Sequence, residues 1–157
     1  MIKTHVLSIM VENYAGVLSR VTGLFSRRMY NIDSLSVGET ENPQVSRITI
    51  ALLADDTTFN QIKNQIAKLE NVIEIIELKK DNAVMREHVL IKVSNKDQSG
   101  VMQICDIFRA RIIDISRENM TAELTGSPDK ISAFIELMDQ YEVKDLVRTG
   151  LTGLERG

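Results

Sequence analysis

The order of predicted strands and helices in the first half of this chain recurs in the second half, and this repeat limits the fold more than any other feature. Alternating apolar residues predict strands, and apolar residues at three- and four-residue spacing predict helices. In the first half these patterns occur in the order strand 6–11, helix 17–29, strand 32–37, strand 48–52, helix 59–69 and strand 72–78. This βαββαβ order is typical of ferredoxin-like folds.

The second half repeats the first with small shifts in spacing, as loop insertions produce. The tripeptide HVL at 88–90 follows HVL at 5–7, and GV at 100–101 corresponds to GV at 16–17. The charged segment KKDN at 79–82 separates the two halves. We therefore expect an α+β protein built from two tandem ferredoxin-like units.

The predicted domain boundaries follow from this repeat. Residues 1–79 form the first domain and residues 84–157 form the second. We expect the second domain to close with a strand at 143–147. Residues 150–157, which contain three glycines, are expected to form a loose tail.

Each half has only about 75 residues and buries a modest core. Two helices on one face of a four-stranded sheet leave the other face and two edges uncovered. The first strand, moreover, is apolar on both sides, with Leu7 and Ile9 on one and Val6 and Met10 on the other. We therefore expect a homodimer that joins sheets edge to edge or covers the bare face.

Composition excludes several classes of partner. The net charge is −3 and the charged residues are intermixed, whereas nucleic-acid binding needs clustered Lys and Arg. No apolar run approaches the roughly 18 residues that span a bilayer, and the N-terminus lacks a signal-peptide pattern. A lone cysteine is typical of a reducing compartment. The sequence predicts a cytoplasmic protein that binds neither nucleic acid nor a membrane.

The chain has no residue pattern of an enzyme acting alone. His5 and His88 lie at equivalent strand starts without the further ligands that a metal site needs, so we expect solvent-near histidines. Cys105 lies on the apolar face of a predicted helix and is expected to be a buried structural thiol. Asp55 and Asp56 precede a helix, as capping residues do. No Gly-rich phosphate loop or GxSxG elbow is present.

The loop from Glu12 to Gly16 has two interpretations that the residue types alone leave open. It is an ordinary connection if Asn13 caps the following helix and Gly16 permits the turn. It is a binding site if the N–H groups of residues 15–18 take a carboxylate, because helix starts attract anions. Asn13 then offers a donor and an acceptor, which suits an amino acid.

The run ENYAGVLSRVTGLFSRRMYNIDSLSV at 12–37, followed by SRITI at 46–50, resembles the regulatory small subunits of acetolactate synthase, also called acetohydroxyacid synthase. The first half is similar to an ACT domain. The resemblance extends to IFRARIIDIS at 107–116, ISAFIELM at 131–138 and TGLTGLERG at 149–157. It therefore covers most of the chain, with the more specific motif in the first half.

This resemblance implies a non-catalytic role. The large catalytic partner subunit carries thiamine diphosphate, a divalent metal and FAD, and it condenses pyruvate with pyruvate or 2-oxobutyrate. The small subunit activates it and confers feedback inhibition by valine or another branched-chain amino acid. The effector lies between paired ACT domains, where the glycine loop of one chain faces the second strand of its mate. Matched to this chain, the effector-binding positions are Asn13, Ala15, Gly16, Val17 and Leu18, facing Asn31 and Ile32.

The chain departs from the family pattern at two positions. Met29 stands before the YNI triplet where the family usually has glycine, at a helix end that often needs a left-handed residue. Tyr14 stands in the loop where the family usually has a small or acidic residue. We expect its side chain to narrow the entrance to the effector site or to change which amino acid is preferred.

Three other functions share parts of the pattern. An ACT module that senses an amino acid for a different enzyme has the same loop. An RNA-binding module of the RRM kind has the same βαββαβ order, but it needs aromatic residues on its central strands, which here carry Ile, Leu, Val and Ser. A hydrolase of the acylphosphatase kind needs an anion-binding Arg in the first loop, and residues 12–17 contain none.

Overall fold

The computed structural model describes residues 1–157, and the chain forms two compact units. The first unit comprises Met1–Val84 together with Leu151–Gly157, and the second comprises Met85–Gly150. The sequence placed residues 151–157 in the second half, whereas the structure groups them with the first unit.

The first unit has the predicted βαββαβ order. Its elements are β1 (Lys3–Glu12), α1 (Val17–Arg27), β2 (Ile32–Glu39), β3 (Val45–Ala54), α2 (Asp56–Ala67) and β4 (Val72–Leu78). The strands form one antiparallel sheet in the order β2-β3-β1-β4, which places β2 and β4 at its edges.

The core of the first unit lies between this sheet and its two helices. Leu7, Ile9 and Val11 alternate along β1 and are at most 2% exposed. They belong to one buried cluster with Phe25 of α1 and Ile62 of α2. Asp55 begins α2 as predicted, because its carboxylate accepts a hydrogen bond from Thr58 N–H at 2.7 Å.

The second unit repeats this architecture. Its elements are β5 (Ala83–Ser94), α3 (Gln98–Phe108), β6 (Arg111–Ile115), β7 (Asn119–Gly126), α4 (Pro128–Met138), a 3₁₀ turn (Asp139–Tyr141) and β8 (Val143–Arg148). The strand order β6-β7-β5-β8 corresponds position by position to that of the first sheet. The predicted closing strand at 143–147 is therefore confirmed. Cys105 is buried in this unit's core, also as predicted.

The C-terminal residues are not a loose tail, so that prediction was wrong. Thr152–Glu155 form a strand, β9, which pairs with β5. Arg156 N–H donates to Asn82 O at 2.7 Å, and Leu151 N–H donates to Ser34 Oγ at 3.3 Å. Leu151 is buried, and burial of an apolar side chain favours an ordered segment over a free one.

The helix-free face of the first sheet is also largely buried at its centre. Val6, Ser8, Thr49 and Ala51 face away from the helices and are at most 6% exposed. Ser34, which accepts the bond from Leu151, pairs with Ala51 in the sheet. The returning C-terminal segment therefore contacts the face that the βαββαβ pattern leaves open.

No helix of the structure is long and apolar enough to cross a membrane.

Candidate functional site

The loop between β1 and α1 ends in a left-handed glycine. Gly16 precedes the first residue of α1 with φ 88° and ψ −11°, and no side chain caps this helix. A Cβ added to Gly16 would meet no atom within 4 Å, so the α-carbon faces open space. Glycine is needed here for its backbone conformation, since a positive φ strains most L-residues.

This helix start presents free hydrogen-bond donors to solvent. Arg20 N–H donates to Gly16 O as the first helical bond, and Val17 N–H reaches Tyr14 O at 3.3 Å. The N–H groups of Ala15, Gly16, Leu18 and Ser19 have no acceptor within the chain. Those four residues are also exposed. Three of the four predicted donors, at Ala15, Gly16 and Leu18, are therefore free. The N–H of Val17 is hydrogen-bonded within the chain, and the N–H of Ser19 is a further free donor.

Asn13 does not cap the helix, so that part of the ordinary-connection interpretation was wrong. Its backbone N–H donates to Gln44 O at 2.8 Å, and its Nδ2 donates to Pro43 O at 2.9 Å. Both bonds tie the loop to the turn before β3. The side-chain Oδ1 has no donor within the protein, so Asn13 still offers an acceptor beside the free N–H groups.

A second set of polar contacts fixes the start of the loop. Asn71 Nδ2 donates to Glu12 Oε2 at 2.8 Å, and Glu12 N–H donates to Asn71 O at 2.9 Å. Arg20 Nη1 in turn donates to Asn71 Oδ1 at 2.5 Å. Sequence reasoning missed Pro43, Gln44 and Asn71, because non-local contacts leave no signal in residue spacing.

Asn31 and Ile32 lie far from this loop within one chain. Ile32 pairs with Leu52 of β3, which pairs with His5 of β1, whereas the loop follows Glu12. The seven residue-to-residue steps from His5 to Glu12 span roughly 24 Å at the usual rise of a strand. A single chain therefore does not bring the two predicted halves of the site together.

Met29 adopts the backbone conformation that glycine usually supplies at this point. Its φ is 56°, its side chain is exposed, and its N–H donates to Ser26 O at 3.2 Å. Tyr30 N–H then donates to Phe25 O at 3.0 Å, which closes the helix end. The departure at Met29 thus leaves the left-handed turn in place.

The corresponding loop of the second unit is built differently. Asp97 precedes α3, and its carboxylate accepts a hydrogen bond from Gly100 N–H at 3.0 Å. A Cβ on Gly100 would lie 2.5 Å from Asp97 Oδ2 and 2.7 Å from the Tyr141 hydroxyl. A carboxylate of the chain itself therefore occupies this helix start, whereas the start of α1 is open.

The remaining candidate groups are structural. His5 was expected near solvent, but it is 5% exposed and stacks on Phe59 with ring centroids 3.9 Å apart. It is a core-facing residue of β1 that α2 covers. His88 is half-buried and pairs with Glu123 at 3.1 Å. Burial raises the pKa of the Cys105 thiol, and the nearby charge of Asp106 adds to this.

No group of three His, Cys, Asp or Glu side chains is arranged to hold a metal ion.

The fold and this loop define a class of protein, namely tandem ferredoxin-like units with an open glycine loop in the first. Family comparison agrees with that class. Residues 7–74 match the model of the acetohydroxyacid synthase (AHAS) small subunit-like ACT domain. Residues 86–157 match the model of the small subunit of acetolactate synthase.

Individual relatives agree over nearly the whole chain. The acetolactate synthase small subunit of Mycolicibacterium smegmatis is 42% identical over 156 residues, covering 98% of this chain and 92% of the relative. A probable acetolactate synthase small subunit of Methanothermobacter thermautotrophicus is 43% identical over 157 residues, covering 98% and 94%. The crystal structure of the small subunit from Thermotoga maritima matches with TM-score 0.90 and 40% identity, covering 99% and 98%.

The chain belongs to the family of acetolactate synthase small subunits, and its first unit carries the ACT domain of that family.

Proposed function

We propose that this chain is the regulatory subunit of an acetolactate synthase. It binds the large catalytic subunit, raises its activity, and confers feedback inhibition by valine or another branched-chain amino acid. The main evidence for the effector site is the uncapped start of α1, where four N–H groups without an acceptor lie beside Asn13 Oδ1.

The chemistry of this loop suits an α-amino acid. Free N–H groups at a helix start bind a carboxylate, aided by the helix dipole. Asn13 Oδ1 accepts a hydrogen bond from an ammonium group, while Asn13 Nδ2 is already used by Pro43. Leu18 and Tyr14 are exposed apolar side chains at the same loop, and they suit an aliphatic side chain.

The proposed site is completed by a second copy of the chain. Asn31 and Ile32 lie at the opposite end of the sheet from Gly16, so a site that uses both needs the Asn31 and Ile32 of a mate. The edge strand β2 carries the exposed Val37, and an unpaired edge favours pairing between copies. We therefore propose a homodimer with effector sites between paired ACT domains.

The catalytic chemistry belongs to the partner in this proposal. Thiamine diphosphate, a divalent metal and FAD are held by the large subunit, and this chain acts only on its activity. We propose the cytoplasm as the site of action, where this biosynthetic chemistry takes place.

The test uses the purified chain with the large subunit encoded in the same genome. Acetolactate formation is measured with and without the chain, across a valine titration. We expect activation without valine and inhibition as valine rises. Failure of the two proteins to co-purify, together with unchanged activity, would contradict the regulatory role.

Effector binding is tested separately by calorimetry on the chain alone. We expect valine to bind and a cognate amide lacking the carboxylate, valinamide, to bind at least about tenfold more weakly, since it loses a charge-assisted contact. Equal affinities for valine and valinamide would mean that the helix start does not bind the carboxylate of the effector.

A further inference from the structure

A cavity of about 360 Å³ lies on the helix-free face of the first sheet. Its walls come from β2, β3 and β9, and they include Ser36, Gly38, Arg47, Thr49 and Thr152. All of these residues belong to the first unit. The cavity shares no residue with the loop at Gly16.

The sheet register explains why space exists beside Arg47. Gly38 pairs with Arg47, and Ser36 pairs with Thr49, so these four residues share one face in two adjacent rows. Gly38 has no side chain to cover its neighbour. A Cβ built on it would meet no atom within 4 Å, which leaves room for a small molecule next to the guanidinium.

Arg47 is held in place but has no ionic partner. Its Nη1 donates to the hydroxyl of Ser8 at 2.7 Å, and Ser8 is fully buried. No carboxylate oxygen lies within 4.0 Å of its guanidinium. Since a guanidinium has five N–H donors in a fixed fork, most of its capacity to bind an anion remains.

Two hydroxyl groups add donors to the same cavity. Thr49 is 2% exposed as a whole residue, and it lines the cavity. A hydroxyl group can donate a hydrogen bond to an acceptor that enters the cavity. Ser36 pairs with Thr49 in the register, lines the same cavity and is half-buried.

The charges around the cavity limit which anion fits. Arg47 is the only cation in its walls, and two carboxylates, Glu39 and Glu41, also contribute to them. Repulsion from these carboxylates disfavours a phosphate or another dianion. One guanidinium with neighbouring hydroxyls is the donor set for a single carboxylate.

We propose that this cavity binds a small monocarboxylate, with Arg47 on the carboxylate and the hydroxyls of Thr49 and Ser36 as further donors. The carboxylate of an amino acid and that of a 2-oxo acid offer the same chemistry to these groups. Because Thr152, Gly153 and Leu154 form one wall, binding also holds β9 against the sheet.

The test is an NMR titration of the ¹⁵N-labelled full chain with acetate, pyruvate and valine in turn. The amides of Gly38 and Gly153 report on the cavity, and the amide of Gly16 reports on the loop. We expect saturable shifts at Gly38 and Gly153 with at least one of these carboxylates. Saturable shifts with pyruvate but not with valine would identify a 2-oxo acid as the ligand of the cavity. Saturable shifts with valine but not with pyruvate would identify an amino acid.

Two variants test the assignment to Arg47. In Arg47→Gln we expect binding to weaken by at least about tenfold, as loss of a charged bidentate partner predicts. Gly38→Val keeps the guanidinium and fills the space, and it should abolish the shift at Gly153. Arg28→Gln removes an exposed cation outside the cavity and should leave the shifts at Gly38 and Gly153 unchanged.

The proposal is independent of the effector loop, and the two can fail separately. Gly16→Asp should leave the shifts at Gly38 and Gly153 intact even where valine no longer perturbs the loop. Absence of saturable shifts at Gly38 and Gly153 with all three probes would overturn the proposal. Equal binding by the parent chain and by both Arg47→Gln and Gly38→Val would overturn it as well.

Discussion

The backbone N–H of Leu151 donates a hydrogen bond to the hydroxyl oxygen of Ser34 at 3.3 Å, across 117 positions of the chain. This contact joins the C-terminal segment to the second strand of the first unit. Leu151 is 5% exposed, so the segment contributes an apolar side chain as well as a hydrogen bond. The first unit is therefore built from both ends of the sequence.

Leu151→Ala should destabilise the first unit by about 2–4 kcal/mol, in the range for truncating a buried leucine. Urea unfolding followed by the NMR signals of the first unit measures this loss. Leu154→Ala is the matched control, because Leu154 is 58% exposed and should cost far less. Equal effects of the two variants would mean that Leu151 is not buried in solution.

A fragment of residues 1–80 contains the whole βαββαβ unit but lacks Leu151 and β9. We expect it to fold and dimerise with reduced stability, and to activate the catalytic subunit while responding weakly to valine. Adding residues 151–157 through a short flexible linker should restore stability. A fragment that valine inhibits fully would show that the second unit is dispensable for regulation.

Gly16→Asp should abolish the response to valine while activation of the catalytic subunit largely survives. The new carboxylate repels that of the effector, and the side chain fills the open approach to the loop. Gly16→Asn is the control, because Asn tolerates a positive φ and carries no charge. We expect it to weaken inhibition less, as measured by acetolactate formation across a valine titration.

Asn13→Ala should weaken valine binding by about one to two decades, since losing a hydrogen bond to a charged group costs roughly 1–3 kcal/mol. The variant also removes the bond from Nδ2 to Pro43 O. Pro43→Ala retains that carbonyl and serves as a control for the turn. Calorimetry of all three proteins gives the affinities, and an unchanged value in Asn13→Ala would exclude Asn13 from the site.

Asp55 should make the stability of the protein depend on pH in the acid range. The backbone N–H and the hydroxyl of Thr58 hold the pKa of Asp55 below its ordinary value of 3.8. Because the pKa of Asp55 is lowered in the folded state, its contribution to stability is fully present above pH 3.8. This contribution is lost as the pH falls through the pKa of Asp55 in the folded protein.

The melting temperature of Asp55→Ala compared with that of the parent chain measures this contribution. We expect the difference between the two melting temperatures to become smaller as the pH falls from about 7 to about 3. Ser127→Ala removes an uncharged cap, in which the hydroxyl oxygen accepts a hydrogen bond from Lys130 N–H. Its difference in melting temperature from the parent chain should stay constant over the same pH range. A constant difference for Asp55→Ala as well would contradict the expected linkage.

Cys105 should react slowly with a thiol reagent in the folded protein. It is 2% exposed, and burial followed by the charge of Asp106 raises its pKa from 9.0. A raised pKa lowers the thiolate fraction at about pH 8, so we expect reaction at least about tenfold slower than in urea. Equal rates folded and unfolded would mean that α3 opens readily.

The sequence by itself determined the two repeated units, because apolar periodicity reports which face of each element is buried. It also located the loop at Gly16 and the cap at Asp55, since both depend on residues close together in the chain. Met29 is an intermediate case. Its position at a helix end was visible, while its left-handed φ of 56° was decided by the bonds that close the turn.

Only the tertiary structure decided the contacts between distant residues. It brought Leu151 to Ser34, paired Asn13 with Pro43, buried His5 against Phe59, and left a cavity beside Arg47. It also placed Ile32 and Gly16 at opposite ends of one sheet. Residue spacing carries no record of such pairs, because their energies come from burial and hydrogen bonds that form only when the whole unit packs.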